Sequence, residues 1–434
     1  MTERAVIPGV RAAPRALPGV LLLSGSLRRS AWGSHELLAR LEGRPAPTEE
    51  PEAERWFGTH PDAPATLHLA DRQVTLDRAI ATAPGAHLGD QVDGTVHLPF
   101  LLKLLAVARP LSLQLHPDAD QAAAGFAAEE AAGIPRSAAG RHFVDPWPKP
   151  ELLFAISPFE AFCGLASPDT VRERLARIPA ASVDLVADGL DGGPAAYRVA
   201  LERILRMPVG EVRGATRALA EHGGALGAGA GPWIVHLAAQ HPDDPAVLAA
   251  LLLQYVHLEP GEALHVPPGI PHAYLQGAGV EVMATSDNVL RAGLTEKPTA
   301  TAAFVRHLDP RPGADHRVLP TGGEPAAARD GGRVEVFDVG ETAFRLEVLG
   351  PGHGPWSLGV KGAPRLVLAL EGTLRVRVGA DEVELTPGRV AYLPVTGGRV
   401  AAEVLGDGRA VVAGVGARWH ALAAAERWPS LPPP

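Results

Sequence analysis

A single cysteine, Cys163, stands in 434 residues. One thiol cannot close a disulfide within the chain. This excludes a disulfide-stapled scaffold and fits a reducing cytoplasm, the compartment expected here. Nor is there an apolar run of the ~18–20 residues that a membrane span needs. The run Val20 to Leu23 is too short for the apolar core of a signal peptide, and Arg28-Arg29 follows it instead of preceding it. No membrane partner is expected, and Met1 to Pro18 reads as a loose arm. Net positive charge is lacking too. A formal balance of −9 argues against a general nucleic-acid binder. It still leaves room for a small anion held by a local cluster of cations.

What is present is apolar and turn-rich. Hydrophobic residues make up 46%, with 42 prolines and 48 glycines. Such a chain can bury a large core, and its length calls for two or three domains. From Val20 to about Leu115 short β-type runs alternate with turns, although TVHLPFLLKLL fits strand or helix alike. Asp118 to Gly133 is alanine-rich and reads as a helix. Strand-like runs return between Pro146 and Leu165. Ser167-Pro168 is an N-cap followed by proline at the first helical position, and helical spacing persists over residues 165–256. From Arg333 to Ala413 short runs broken by Gly, Pro and Asp turns predict a sandwich or small barrel. The Pro/Gly-rich stretch from His307 is the expected linker (307–326), and WPSLPPP a frayed tail.

Three stretches carry chemistry. Gly261 to His272 (GEALHVPPGIPH) delivers one histidine just past a Pro-Pro-Gly turn, the form of the second half of the cupin signature. In LSLQLHPD, Ser112, Gln114 and His116 are two apart, so on a strand they share one face while Leu111, Leu113 and Leu115 fill the other. The polar face is either a metal-binding wall or a hydrogen-bonded barrel interior. Lys149-Pro150-Glu151 puts a carboxylate at the start of an apolar strand, solvated at a loop edge or held by a cation. Gln114, His116, Glu151 and His272 together form an N/O ligand set of zinc type without thiolate. Glu281, Asp287, Arg291 and Lys297 crowd into 17 residues beyond the hairpin, a pattern suggesting an anion site beside the metal. Trp32, Trp56 and Trp147 are more often packing residues than sugar platforms.

These motifs resemble the type I mannose-6-phosphate isomerases. The matches are LPFLLKLLAVARPLSLQLHPD, the triplet Lys149 to Glu151, LEPGEALHVPPGIPHAYLQG and VMATSDNVLRAGLTEKP, with weaker ones at AWGSHELLARL and AERWFGTHPDAP. The resemblance implies a mainly β chain. A catalytic cupin (jelly-roll) barrel would take residues 19–164 and 257–306. A helical insertion would span 165–256, and a metal-free cupin-like domain 327–424. It further implies one Zn²⁺ held by Gln114, His116, Glu151 and His272, and Arg291 as the catalytic arginine. Lys103, Ser112, Lys149 and Lys297 would line the substrate pocket and help hold phosphate, and Tyr274 is expected to join the substrate contacts. Two departures stand out. Trp147-Pro148 replaces the family's usual Asn-His before Lys-Pro-Glu, which removes a histidine considered part of the proton-transfer machinery. Ser30 stands where tyrosine is common.

The implied substrate is a phosphorylated hexose, mannose 6-phosphate interconverting with fructose 6-phosphate through a cis-enediol(ate). A base must be neutral or anionic near pH 7. Asp287 and Glu281 meet this by charge, whereas Lys149 needs burial or the metal to strip its proton. Two rival readings differ in kind. A non-catalytic sugar-phosphate sensor draws some support from Pro148, but the retained ligands and Arg291 oppose it. A cupin oxygenase would call for more histidines than this set offers. The oligomeric state stays open, with a monomer favoured.

Overall fold

The structure, a computed structural model, describes residues 17–89, 97–178, 190–321, 334–353, 360, 362–395 and 400–419. The start of the N-terminal arm and the proline-rich tail lie outside these residues. The described chain is mainly β. Its strands are, in order, β1 (Leu21–Ser24), β2 (Ser26–Ser34), β3 (Glu52–Phe57), β4 (Thr66–His68), β5 (Gln73–Thr75), β6 (Phe100–Val107) and β7 (Leu113–Leu115). Next come β8 (Glu151–Ala155), β9 (Phe159–Leu165), β10 (Leu253–Leu258), β11 (Ala263–Val266), β12 (His272–Ala284), β13 (Leu290–Gly293) and β14 (Arg317–Val318). The last are β15 (Val334–Phe337), β16 (Arg345–Leu349), β17 (Gly352–His353), β18 (Arg365–Val378), β19 (Asp381–Leu385), β20 (Val390–Leu393) and β21 (Val400–Gly414).

These strands make two sheets. In the first, β12 is the hub and pairs antiparallel with β6, β7, β8 and β9. The second is built around β18, which pairs antiparallel with β19, β20 and β21. The segment left open between strand and helix is β6. Eight consecutive residues of β12 pair with it, from Gly277↔Val107 to Ala284↔Phe100. Buried on both faces, it loses the alternation that marks a half-exposed strand.

Side-chain alternation sorts β6 into two faces. Phe100, Leu102, Leu104 and Ala106 join Leu152, Phe154, Val280 and Val282 in a core shared with Phe337, Leu366, Leu368 and Tyr392 of the second sheet. Lys103 lies on the opposite face, and its cross-strand partner is Glu281.

The helical stretch follows its sequence signals. Ser167 caps the helix Pro168–Leu175 by accepting from the Thr170 N–H. Helices Pro194–Leu205, Val209–His222 and Ala230–Gln240 bury their apolar faces on a core that also holds Leu113, Leu115, Leu290 and Ala292. The helix Ala119–Ala131 starts at a capping box between Asp118 and Gln121. Among the described residues no helix is long and apolar enough to cross a membrane.

Two features depart from the linear reading. Strands β1, β4 and β5 hydrogen-bond into the second sheet, although they lie within the span expected of the first barrel. Leu21 and Leu23 pair with Tyr392 and Val390 and are buried there, while Leu22 faces out. The Pro/Gly-rich stretch after His307 is also no free tether. β14 pairs with β11, Pro312 bridges Leu165, and Thr321 bridges Val336.

Candidate metal centre and active-site cleft

Strand register builds the centre. Gln114 on β7 is directly opposite His272 on β12, and on its other side opposite Arg291 on β13. Directly opposed residues hold their Cβ atoms about 5 Å apart. The amide, the imidazole and the guanidinium therefore arise from one rung. His116 follows β7 immediately and is locked by Gly269, whose N–H donates to the His116 carbonyl at 2.8 Å. Gly269 has φ +81°, a conformation that the Pro267-Pro268-Gly269 turn reserves for glycine. Glu151 opens β8 opposite Val266 and Met283.

The tautomers are fixed from behind. His116 Nδ1 donates to the Asn288 carbonyl at 2.7 Å, and His272 Nδ1 to the Ile270 carbonyl at 3.0 Å. Each ring thus turns an Nε2 lone pair toward Glu151, at 3.3 Å for His116 and 3.7 Å for His272. Both histidines and Glu151 are buried, and His116 Nε2 has no hydrogen-bond partner among the described residues. Burial pushes the His116 imidazole down to about 4, helped by Lys149, and lowers His272 as well. Burial alone would raise the Glu151 carboxyl. Lys149 and His116 outweigh it and hold the group well below the usual carboxylate range. One carboxylate and two imidazole lone pairs thus face a common point, with atoms within 4.8 Å of one another. Such a set repels itself unless a cation lies between, and it fits a divalent metal. Gln114 lies beside it. Its amide lies 3.3 Å from His272 Nε2, and a half-turn of the amide presents Oε1 there.

A cleft of about 1030 Å³ opens beside this set. Ser112, Lys149, Asp287, Arg291 and Lys297, expected as substrate contacts or catalytic groups, line it together with Gln114. Lys149 also contacts Glu151. Two expected site residues take other positions, and a third is already paired. Lys103 lines the cleft, but its ammonium is buried between Glu281 at 3.0 Å and Glu54 at 3.5 Å, so its charge is already matched. Glu281 is buried and raised above the usual range by burial and by Glu151, with no share in the cleft wall. Tyr274 sits behind the wall, where its hydroxyl donates to Glu281 at 3.1 Å. Strand geometry explains both: β12 turns these side chains toward one another, hydroxyl on carboxylate. Leu111, expected on the outer face, lines the cleft because β7 begins only at Leu113.

Some functional residues were not singled out beforehand. Asp145 is buried and accepts from the Ser286 hydroxyl (2.9 Å), the Trp147 N–H (3.0 Å), the Asp287 N–H (2.8 Å) and the Asn288 amide (3.1 Å). It shapes the turn that carries both Asp287 and the Asn288 carbonyl orienting His116. The only sequence signal was the coincidence of DPW with SDN. Arg28, Arg136 and His60 also line the cleft. No periodicity marks them, because they come from a rim strand and two loops.

Known proteins resemble the chain over most of its length. The catalytic domain of phosphomannose isomerase type I matches residues 20–167. The mannose-6-phosphate isomerase of Salmonella typhimurium is 36% identical over 86% of this chain and 94% of its own length. The human enzyme is 31% identical over 71% of this chain and 77% of its own. A crystal structure of the Salmonella typhimurium enzyme bound to fructose 6-phosphate and zinc superposes with a TM-score of 0.82 at 31% identity, covering 92% of this chain and 100% of that one. With this extent of likeness and a His/Glu/His centre beside a cation-lined cleft, the chain belongs to the type I phosphomannose isomerase family.

Proposed function

We propose that the chain is a zinc-dependent aldose–ketose isomerase interconverting mannose 6-phosphate and fructose 6-phosphate. The observation that carries this reading is the meeting of Gln114, His116, Glu151 and His272 at one point beside a cleft with Arg28, Arg136, Lys149, Arg291 and Lys297 in its wall. A chain of net charge −9 concentrates cations there, which suits a dianionic sugar phosphate.

Zinc held by the four ligands would supply a Lewis acid that polarises the open-chain sugar carbonyl. The chain's own groups do the rest. Arg291, one strand from the ligand Gln114, offers a guanidinium to the oxyanion that develops as a cis-enediolate forms. Lys297 and Ser112 anchor the phosphate, and binding energy far from the reacting carbons orients them. Asp287 is the base. It lines the cleft, and its carboxyl is held below the usual range because His60, Lys149 and Lys103 together outweigh the upward push of burial. The C2 proton passes to Asp287 and returns to C1, while the O2 proton moves to O1. The same reading divides the chain into a metal-bearing cupin barrel (19–164 and 257–306, apart from β1, β4 and β5, which join the second sheet), a helical insertion (165–256), a linker (307–326) that pairs through β14, and a metal-free cupin-like domain (327–424). It places the protein in the cytoplasm.

The test is a coupled assay of fructose 6-phosphate formation with zinc measured on the same sample. Turnover should vanish with a chelator and return with Zn²⁺. Zinc-loaded protein that does not turn over mannose 6-phosphate would refute the reading.

A further inference from the structure

Family membership does not say how proton transfer is arranged here, where Pro148 stands in place of the expected histidine. The cleft contains another imidazole. His60, in the loop after β3, is only 2% exposed, and its Nε2 lies 3.0 Å from Asp287 Oδ2. The Asp62 N–H donates to His60 Nδ1 at 3.3 Å. A nitrogen that accepts there carries no proton, so the neutral ring has its proton on Nε2, aimed at the carboxylate. The Trp56 ring stands edge-on to His60 at 4.8 Å and fixes its plane. From the other side, the Asp287 N–H is tied to Asp145. Asp287 is thus held by its backbone and by one carboxylate oxygen.

We propose that His60 is a positioning residue. It clamps Asp287 Oδ2, so that the other oxygen is presented to the substrate as the base. This rests on the isomerase reading. In the forward step the C2–H bond breaks and its electrons form the C1–C2 double bond. The carbonyl pair moves to O1, and the proton goes to the free oxygen of Asp287. In the return step the same proton adds to C1 and C2=O forms as O2 loses its proton to O1. His60 keeps its Nε2 proton throughout, so atoms and charge balance without a co-reactant. The groups that face Asp287 are His60, Asp62, Lys103, Asp145, Lys149 and Arg291. Of these, His60 contributes most to keeping the carboxyl below its usual range against burial.

The experiment compares wild type, His60→Ala and His60→Gln as zinc-loaded full-length proteins. His60→Ala should lower kcat by roughly 10- to 100-fold, with KM for mannose 6-phosphate and zinc content little changed. The acidic limb of its rate profile should move to higher pH by about one unit, since the carboxylate loses a donor. Glutamine reaches as far as Nε2 and still donates, so His60→Gln should recover most of the loss. Should His60→Ala fail to fold, the glutamine variant and its pH profile decide. Wild-type kcat and pH profile in His60→Ala would overturn the proposal, as would equal impairment of both variants with no shift of the acidic limb. If the wild-type protein lacks isomerase activity, that reading falls separately. The clamp is then read from the ¹³C titration of the Asp287 carboxyl, which should rise in His60→Ala; an unmoved titration overturns it.

Discussion

At the scale of single residues, the centre is defined by which groups are matched and which are not. Lys103 and Glu281 neutralise one another across β6 and β12. His116 and His272 point unprotonated nitrogens at a carboxylate and need an ion. His272→Ala should therefore lose most of its zinc, read by elemental analysis, and a fully metallated variant would remove His272 from the ligand set. Arg291→Ala should keep its zinc and lose about 10²-fold or more in kcat, because guanidinium acts on charge that exists only in the transition state. Asp145 makes a pH prediction. Burial pushes its carboxyl up to about 6 from an ordinary 3.8. The folded state thus binds a proton that the unfolded state has released, and stability falls as pH rises between about 4 and 6. The full effect is on the order of 3 kcal/mol. Urea midpoints of wild type and Asp145→Asn at pH 4.5 and 6.5 check this. The wild type should lose ground relative to the variant at the higher pH, and parallel midpoints would contradict it.

Elements convey these properties to the site. Arg291 is aimed by the short strand β13, and that strand is held by the helical stretch. Asp244 accepts the Leu294 N–H at 2.5 Å, where Leu294 has φ +58°, a left-handed conformation that leucine adopts only under constraint. A Cβ on Gly293 would fall 2.4 Å from the same Asp244 carboxylate. Asp244→Ala should cost about 1–3 kcal/mol and reduce kcat/KM through a misaligned Arg291, with zinc retained. Denaturant midpoints and kinetics on one preparation test this. An active but destabilised variant would show that the strand keeps its aim unaided. The insertion is thus one wall of the site's support.

Over the whole molecule, the two sheets share a core in which Leu102 and Phe154 of the first meet Phe337, Leu366 and Tyr392 of the second. β1, β4 and β5 cross from one end of the chain to the other sheet. Calorimetry should show one cooperative transition, and Cys163, fully buried with its thiol pushed well up by burial, should react with thiol reagents only as that transition proceeds. Two resolved transitions, or labelling of folded protein, would mean that the halves are independent.

The proposed ligand set could be read in the sequence because each of its members sits in a short local device. Gln114 and His116 share a strand face, His272 follows a Pro-Pro-Gly turn, and Glu151 opens an apolar strand. Periods and turns depend on neighbours in sequence, so they appear there. The helical stretch and its Ser167 cap were legible for the same reason. Only tertiary structure decided that Lys103 is neutralised by a residue 178 positions away, that His60 meets Asp287, and that the first strand completes the last sheet. Those pairings are set by register and burial between distant strands, and no local pattern of residues records them.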